Sequence, residues 1–271
     1  MTMSEVFCNT FKALRHELGH DRPRDTRPMW QRRLSADSDF CRALVACGYL
    51  SEEQMLRAVQ RYRLGRSRDG GVIFWQIDQL GQVFDGKIMH YRPDGHRDHQ
   101  RKPYWVSHAL KRHYLKDEEQ LAAVAIPSQH CLFGTHLLGP RITQMTRIDD
   151  CESPCQSDAE ETAVAVVEAE KTAVILSEVY PEYLWLAAGG LYELTAAKLF
   201  PLRGRKVILF PDTDSDGRAF SIWYRVTLEA QRLLGQTIHL SPLLEQRATP
   251  DQKRRKIDLV DFLEESSSFQ T

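Results

Sequence analysis

Glu168, Asp212 and Asp214 are the residues in this sequence best suited to act together on a substrate. Glu168 closes the run Val-Ala-Val-Val and precedes Ala-Glu170-Lys171-Thr-Ala. Asp212 and Asp214 lie in Val-Ile-Leu-Phe-Pro-Asp212-Thr-Asp214-Ser-Asp216-Gly217. Each group stands where an apolar, strand-like run ends, and in an open parallel α/β sheet those ends form the edge at which ligands bind. Carboxylates gathered on one edge repel one another unless a cation lies among them. The i, i+2 spacing of Asp212 and Asp214 places both side chains on one side of an extended chain, where they can share a hard cation. The expectation is a Mg²⁺ site at this edge, held by Asp212 and Asp214, and so phosphate chemistry.

Taken alone, the Asp-x-Asp pattern also fits a solvated turn in which Asp216 caps the next helix, because turns are rich in Asp. An EF-hand is excluded by the absence of Glu at loop position 12 and by the flanking strand. Gly217 allows a tight entry into the following helix, and Gly189-Gly190 marks another turn after an apolar run.

The elements that must position these groups alternate in type from residue 162 onward. Strands are predicted over residues 163–167, 183–187, 206–210 and 237–240, and helices over 170–179, 191–199 and 217–234. That order defines an α/β layered domain. Upstream, Ser51-Glu-Glu-Gln54 predicts a capping box opening a helix that ends near Leu64-Gly65. Residues 71–78 predict a strand. Gly81-Gln-Val-Phe-Asp-Gly86 predicts a turn with a short second strand, and Lys87-Ile-Met-His-Tyr-Arg92 a third, forming an antiparallel meander. Residues 131–138 predict a further short strand or turn. The resulting layout is a helical region at 1–65, a basic α+β subdomain at 66–145, an acidic linker at 146–162 and an α/β domain at 163–271.

The order Glu, Gly-Gly, Asp-x-Asp in successive β–α units resembles the Toprim domain of DnaG-type primases, phage primase–helicases, topoisomerases and OLD-family nucleases. The resemblance covers residues 163–244. It implies a Rossmann-like fold around a central parallel sheet, with Glu168 in acid–base or metal chemistry, Asp212 and Asp214 on Mg²⁺ or Mn²⁺, and Asp216 as an auxiliary donor. Glu168-Ala-Glu-Lys-Thr-Ala is similar to the Glu-Gly-x-x-Asp-Ala of primase-type members, but has Ala169 in place of Gly and Thr172 in place of Asp. Asp258-Leu-Val-Asp261-Phe-Leu resembles the Lys-Asp-x-x-Asp-Leu segment that closes many such domains. Gly71-Val-Ile-Phe-Trp-Gln-Ile-Asp78-Gln-Leu-Gly81-Gln-Val looks similar to the strand-rich pattern of the basic subdomain preceding Toprim in DnaG-type primases. The whole chain looks like the primase-like Toprim proteins carried on bacterial plasmids and conjugative elements.

Charge is consistent with a polyanionic substrate. The net charge of −1 hides a balance of +7 in residues 1–115 and −8 in the remainder. Lys87, Arg92, Arg97, Arg101 and Lys102 are interleaved with Tyr91, Tyr104 and Trp105, a mixture that suits phosphate neutralisation and base stacking. It equally suits a solvated strand face with Trp105 in the core. Lys171 joins the candidate nucleic-acid contacts beside Glu168. His90, His96, His99 and His108 are irregularly spaced and read as ordinary turn or surface residues, and Phe74 and Trp75 as core.

Among the six cysteines there is no C-x₂-C pair, so no zinc is expected. No apolar run reaches the roughly 18–20 residues of a membrane span, and the first residues lack a signal-peptide pattern. The expectation is a cytoplasmic protein without membrane contact. No Gly-x₄-Gly-Lys-[Ser/Thr] loop is present, so any helicase or relaxase would be a separate partner. The resemblance implies Mg²⁺-dependent phosphoryl transfer from nucleoside triphosphates on single-stranded DNA. A Toprim nuclease or a non-catalytic DNA-binding accessory protein are the alternatives.

Overall fold

A computed structural model describes residues 29–114, 130–139 and 162–267. The helical expectation before residue 29 and most of the acidic linker lie outside them. The chain divides into two compact units, Met1–Phe133 and Gly134–Thr271.

The first unit is built on a four-stranded antiparallel sheet in the order β1 (Gly65–Arg66), β2 (Val72–Ile77), β3 (Val83–Met89) and β4 (Tyr104–Trp105). Strand β2 is buried along its whole length because it carries apolar side chains to both faces. On one face Phe74 meets Phe40 and Phe133 edge-on, and Tyr62 stacks on Phe133. These rings join the sheet to α2 (Asp39–Ala46) and α3 (Glu52–Tyr62). On the other face Ile73, Trp75, Ile77, Ile88 and Val106 form a second apolar cluster. It is flanked by α1 (Met29–Arg33) and α4 (Val106–Tyr114). The predicted capping box at Ser51 and Gln54 is present, and α3 stops where Arg63 turns left-handed at φ 56°.

The short second strand expected before Lys87 and the third expected over residues 87–92 are one strand, because β3 runs unbroken through Asp85-Gly86, paired with β2. A Cβ on Gly86 would lie 2.7 Å from Ile73 and 2.8 Å from the Trp75 ring. The glycine is required for a close approach between strands rather than for a bend.

The second unit carries the expected parallel sheet in a mixed α/β, Rossmann-like layering. Its strands are β5 (Val164–Val167), β6 (Leu184–Ala187), β7 (Val207–Phe210) and β8 (His239–Leu240), in spatial order β6-β5-β7-β8. All three pairings are parallel. The connecting helices are α5 (Glu170–Val179) and α6 (Arg218–Leu234). The predicted helix over 191–199 is instead a set of turns followed by a 3₁₀ segment, Ala197–Leu202. Pro201 and the Thr195 hydroxyl, which accepts the Lys198 N–H, favour the short form. After β8 the chain adds α7 (Leu243–Arg247), α8 (Pro250–Arg255) and α9 (Leu259–Ser267). Among the described residues no helix is long and apolar enough to cross a membrane.

Candidate functional site

Strand order decides where the second unit binds. From β5 the chain moves one way to β6, then crosses back to β7 on the other side of β5. Neighbouring crossovers that leave in opposite directions open a crevice at the carboxyl ends of the two strands between them. Val167 and Phe210 are register partners at the ends of β5 and β7. Glu168 is the next residue on one strand, and Asp212 stands two beyond the end of the other. The main chain holds Glu168 in place, since its carbonyl accepts the Gly189 N–H at 2.9 Å, and Gly189 has φ 93°.

The tail brings two further carboxylates to this edge. The Thr213 N–H donates to the Ile257 carbonyl at 3.3 Å. Asp258 and Asp261 then form a reciprocal cap at the start of α9. The Asp261 N–H donates to Asp258 Oδ1 at 3.0 Å, and the Asp258 N–H donates to Asp261 Oδ2 at 3.2 Å. The Thr172 hydroxyl, in the first turn of α5, donates to Asp258 Oδ2 at 2.6 Å. Thr172 therefore fastens this carboxylate over the positive end of a helix whose N-cap, Ala169, supplies no side-chain hydrogen bond.

Asp212 registers the crowding. Burial, and then the negative charges of Glu168, Asp258 and Asp261, push its carboxyl well above the ordinary carboxylate range. Glu264 is also pushed up, by burial and by Asp261, while Lys171 pulls it down. Lys171 is only 9 % exposed, so its charge serves this acidic neighbourhood more than the open surface.

Asp214 has a different environment. Burial disfavours its charge, but backbone N–H groups of Arg218, Ala219 and Asp216 more than compensate and hold its carboxyl below the usual range. They donate at 2.8, 2.8 and 3.1 Å. Asp214 thus caps α6. Asp216 is exposed, and Gly217 occupies the N-cap position at φ 61° without a side-chain bond. Asp212 is brought into the electrostatic field of Glu168, while Asp214 is anchored to a helix terminus.

Hard carboxylate oxygens are the donors that Mg²⁺ or Mn²⁺ prefers, and Glu168 and Asp212 are the pair best placed to supply them. Among the described residues no three His, Cys, Asp or Glu groups form a ready-made metal-holding cluster. Mg²⁺ commonly binds through one or two carboxylates, several waters and substrate phosphates, so such a cage is not required.

The basic residues belong to the first unit. Lys87 lies on β3 opposite Trp105. Arg92 pairs with Asp94 at 2.7 Å, and Arg97 and Lys102 are exposed. Arg101 donates to Asp69 at 2.8 Å. His96, His99 and His108 are exposed, but His90 is not the turn or surface residue expected. It is 2 % exposed, with Nδ1 2.8 Å from Asp39 and Nε2 3.1 Å from Asp69. Gly71 makes room for it, since a Cβ there would fall 2.6 Å from the imidazole.

The fold and this edge define an α/β protein with an acidic crevice at the switch point of a parallel sheet. The chain belongs to the family described as a domain of unknown function (DUF6371), whose model matches residues 38–213, more than half of its length. The match includes Glu168 and Asp212 and ends before Asp214 and the α9 carboxylates. No curated protein matches the chain.

Proposed function

We propose that this protein is a Toprim-type, primase-like nucleotidyltransferase that joins nucleotides on single-stranded DNA, in the replication of a mobile element. The observation carrying this reading is the meeting of Glu168 and Asp212 at the β5–β7 switch point, with Asp212 pushed up by Glu168, Asp258 and Asp261. Anionic crowding of this kind favours occupation by a cation, and carboxylates with Mg²⁺ suit transfer of a phosphoryl group. A bound Mg²⁺ would neutralise developing charge on the transferred phosphate.

The residues divide the remaining work. Asp212 and Glu168 bind the cation, and Glu168 is also the candidate to accept the proton of an attacking 3′-hydroxyl. Thr172 and the α9 cap fix Asp258 beside them. Asp214 shapes the Asp-x-Asp turn by holding the first turn of α6. Exposed cations of the first unit, Arg97 and Lys102 among them, supply attraction for a polyanion.

The test is incubation of the full chain with single-stranded DNA, labelled ribo- and deoxyribonucleotides, and Mg²⁺ or Mn²⁺. New oligomers that disappear in Asp212→Asn and Glu168→Gln support the reading. Shortening of the DNA would replace it with a nuclease in which water is the nucleophile. DNA binding with neither product would leave an accessory protein.

A further inference from the structure

The first unit contains a second candidate site that the acidic crevice does not use. A cavity of about 500 Å³ opens on the Trp75 face of the antiparallel sheet, between α1 and α4. Ile73, Trp75 and Ile88 from the sheet and Val106 and Leu110 from α4 give it an apolar interior. Arg32 and Arg33 of α1 and Arg68 of the β1–β2 loop supply its charge. The volume is in the range of ordinary small-molecule sites, roughly 300–1,000 Å³.

The polar groups around the cavity are unevenly satisfied. Asp69 is its carboxylate, and it is already engaged by the Ser67 hydroxyl at 2.6 Å, the Tyr104 hydroxyl at 3.0 Å, Arg101 at 2.8 Å and His90 at 3.1 Å. Burial opposes the Asp69 charge, but the Ser67 and Tyr104 hydrogen bonds and His90 outweigh it and hold the group ionised. These bonds also fix the loop that presents Arg68. By contrast, no ion pair links Arg32, Arg33 or Arg68 to a carboxylate among the described residues. Arg32 has a buried Nε without a hydrogen-bond partner. A buried guanidinium N–H without an acceptor is costly, and guanidinium groups that line a cavity are strong donors to an anion.

We propose that this cavity binds a nucleoside phosphate, with the planar base on the apolar interior and the phosphates on Arg32, Arg33 and Arg68. The pairing of an apolar wall that includes the Trp75 ring with guanidiniums selects a ligand having both a ring and an anionic group. Inorganic phosphate would leave the apolar interior empty, and a bare nucleoside would leave the guanidiniums without an acceptor. The same chemistry is offered by a free nucleotide and by the phosphorylated end of a DNA strand. The proposal stands apart from the acidic crevice, so it is tested with EDTA present.

Calorimetric titration of the full chain with ATP, adenosine, tripolyphosphate and 5′-phosphorylated oligothymidylate decides it. ATP or the oligonucleotide is expected to bind, and adenosine and tripolyphosphate at least about tenfold more weakly. Arg68→Ala, on an exposed loop, and Arg32→Ala should each weaken binding about tenfold. Ala109→Trp, which fills the cavity, should abolish it, while Asp212→Asn should leave it unchanged. Preference for ATP identifies a free nucleotide, and preference for the oligonucleotide identifies a strand end. Absence of binding by both at millimolar concentration, binding unaffected by Arg68→Ala and Arg32→Ala, or tripolyphosphate binding as tightly as ATP, would overturn the proposal.

Discussion

The Thr172 hydroxyl donates to Asp258 across 86 residues of sequence, tying the first turn of α5 to the cap of α9 at a distance of 2.6 Å. The bond aims a carboxylate from the tail at the edge where Glu168 and Asp212 meet. Replacing Thr172 with Val keeps the shape but removes the donor. A hydrogen bond to a charged, partly buried acceptor contributes about 1.5–3 kcal/mol. Thr172→Val is therefore expected to lower stability in urea by about that amount and to weaken Mg²⁺ binding. Thr172→Ser should restore both. Loss of stability in Thr172→Val with unchanged Mg²⁺ response would confine the residue to a structural role.

Asp212 makes the second unit sensitive to pH and to divalent ions. Its carboxyl is held above its unfolded value of about 3.9, first by burial and then by neighbouring anions. Stability from the protonated group is complete below that unfolded value and is lost as pH rises through the higher folded one. The metal-free protein should thus carry a penalty at pH 7 that Asp212→Asn relieves. Thermal melts in EDTA should show Asp212→Asn melting above the parent at pH 7, with the difference shrinking toward pH 4. Millimolar Mg²⁺ should raise the parent's Tm by roughly 2–4 °C, for about 1 kcal/mol of linkage, and the variant's hardly at all. Equal responses in the two proteins would remove Asp212 from the cation site.

Asp214 separates helix capping from metal binding. It accepts three backbone N–H groups at the start of α6, and removing a capping carboxylate costs about 0.5–2 kcal/mol. Asp214→Ala should lose stability on that scale, whereas Asp214→Asn should retain most of the cap. If capping is its principal role, Asp214→Asn should keep Mg²⁺-dependent stabilisation and any polymerising activity that Asp212→Asn loses. A variant that is stable but unresponsive to Mg²⁺ would restore Asp214 as a ligand.

What could be read from the sequence follows the range of the interactions involved. Glu168 and Asp212 were visible because each ends an apolar run, and a parallel sheet carries such ends to one edge. Their surroundings were less visible. Asp258 and Asp261 reach the edge only after two short helices, at the start of a third, and through Thr172, whose departure from the primase-type pattern gave no sign of its new partner. The Asp-x-Asp spacing did not reveal that Asp214 would be drawn to the α6 terminus. The irregular spacing of the histidines does not single out His90, because its partners Asp39 and Asp69 lie 51 and 21 residues upstream. A cavity assembled from α1, α4 and three strands leaves no local pattern at all.

Gly86 tests the same distinction between local and distant causes. Asp-Gly is a common turn pair, yet here it lies inside β3 with Trp75 directly opposite. A methyl group would press into Ile73 and into an indole that is 1 % exposed. Overpacking of this kind costs about 1–3 kcal/mol, so Gly86→Ala should lower the urea midpoint and shift tryptophan emission. Ile73→Ala opens space at the nearest contact. The double variant should then be less destabilised than the two single effects predict, by about 0.5 kcal/mol or more. Strict additivity, or a Gly86→Ala protein as stable as the parent, would show that the strands can separate to admit a side chain, and the close approach would not explain the glycine.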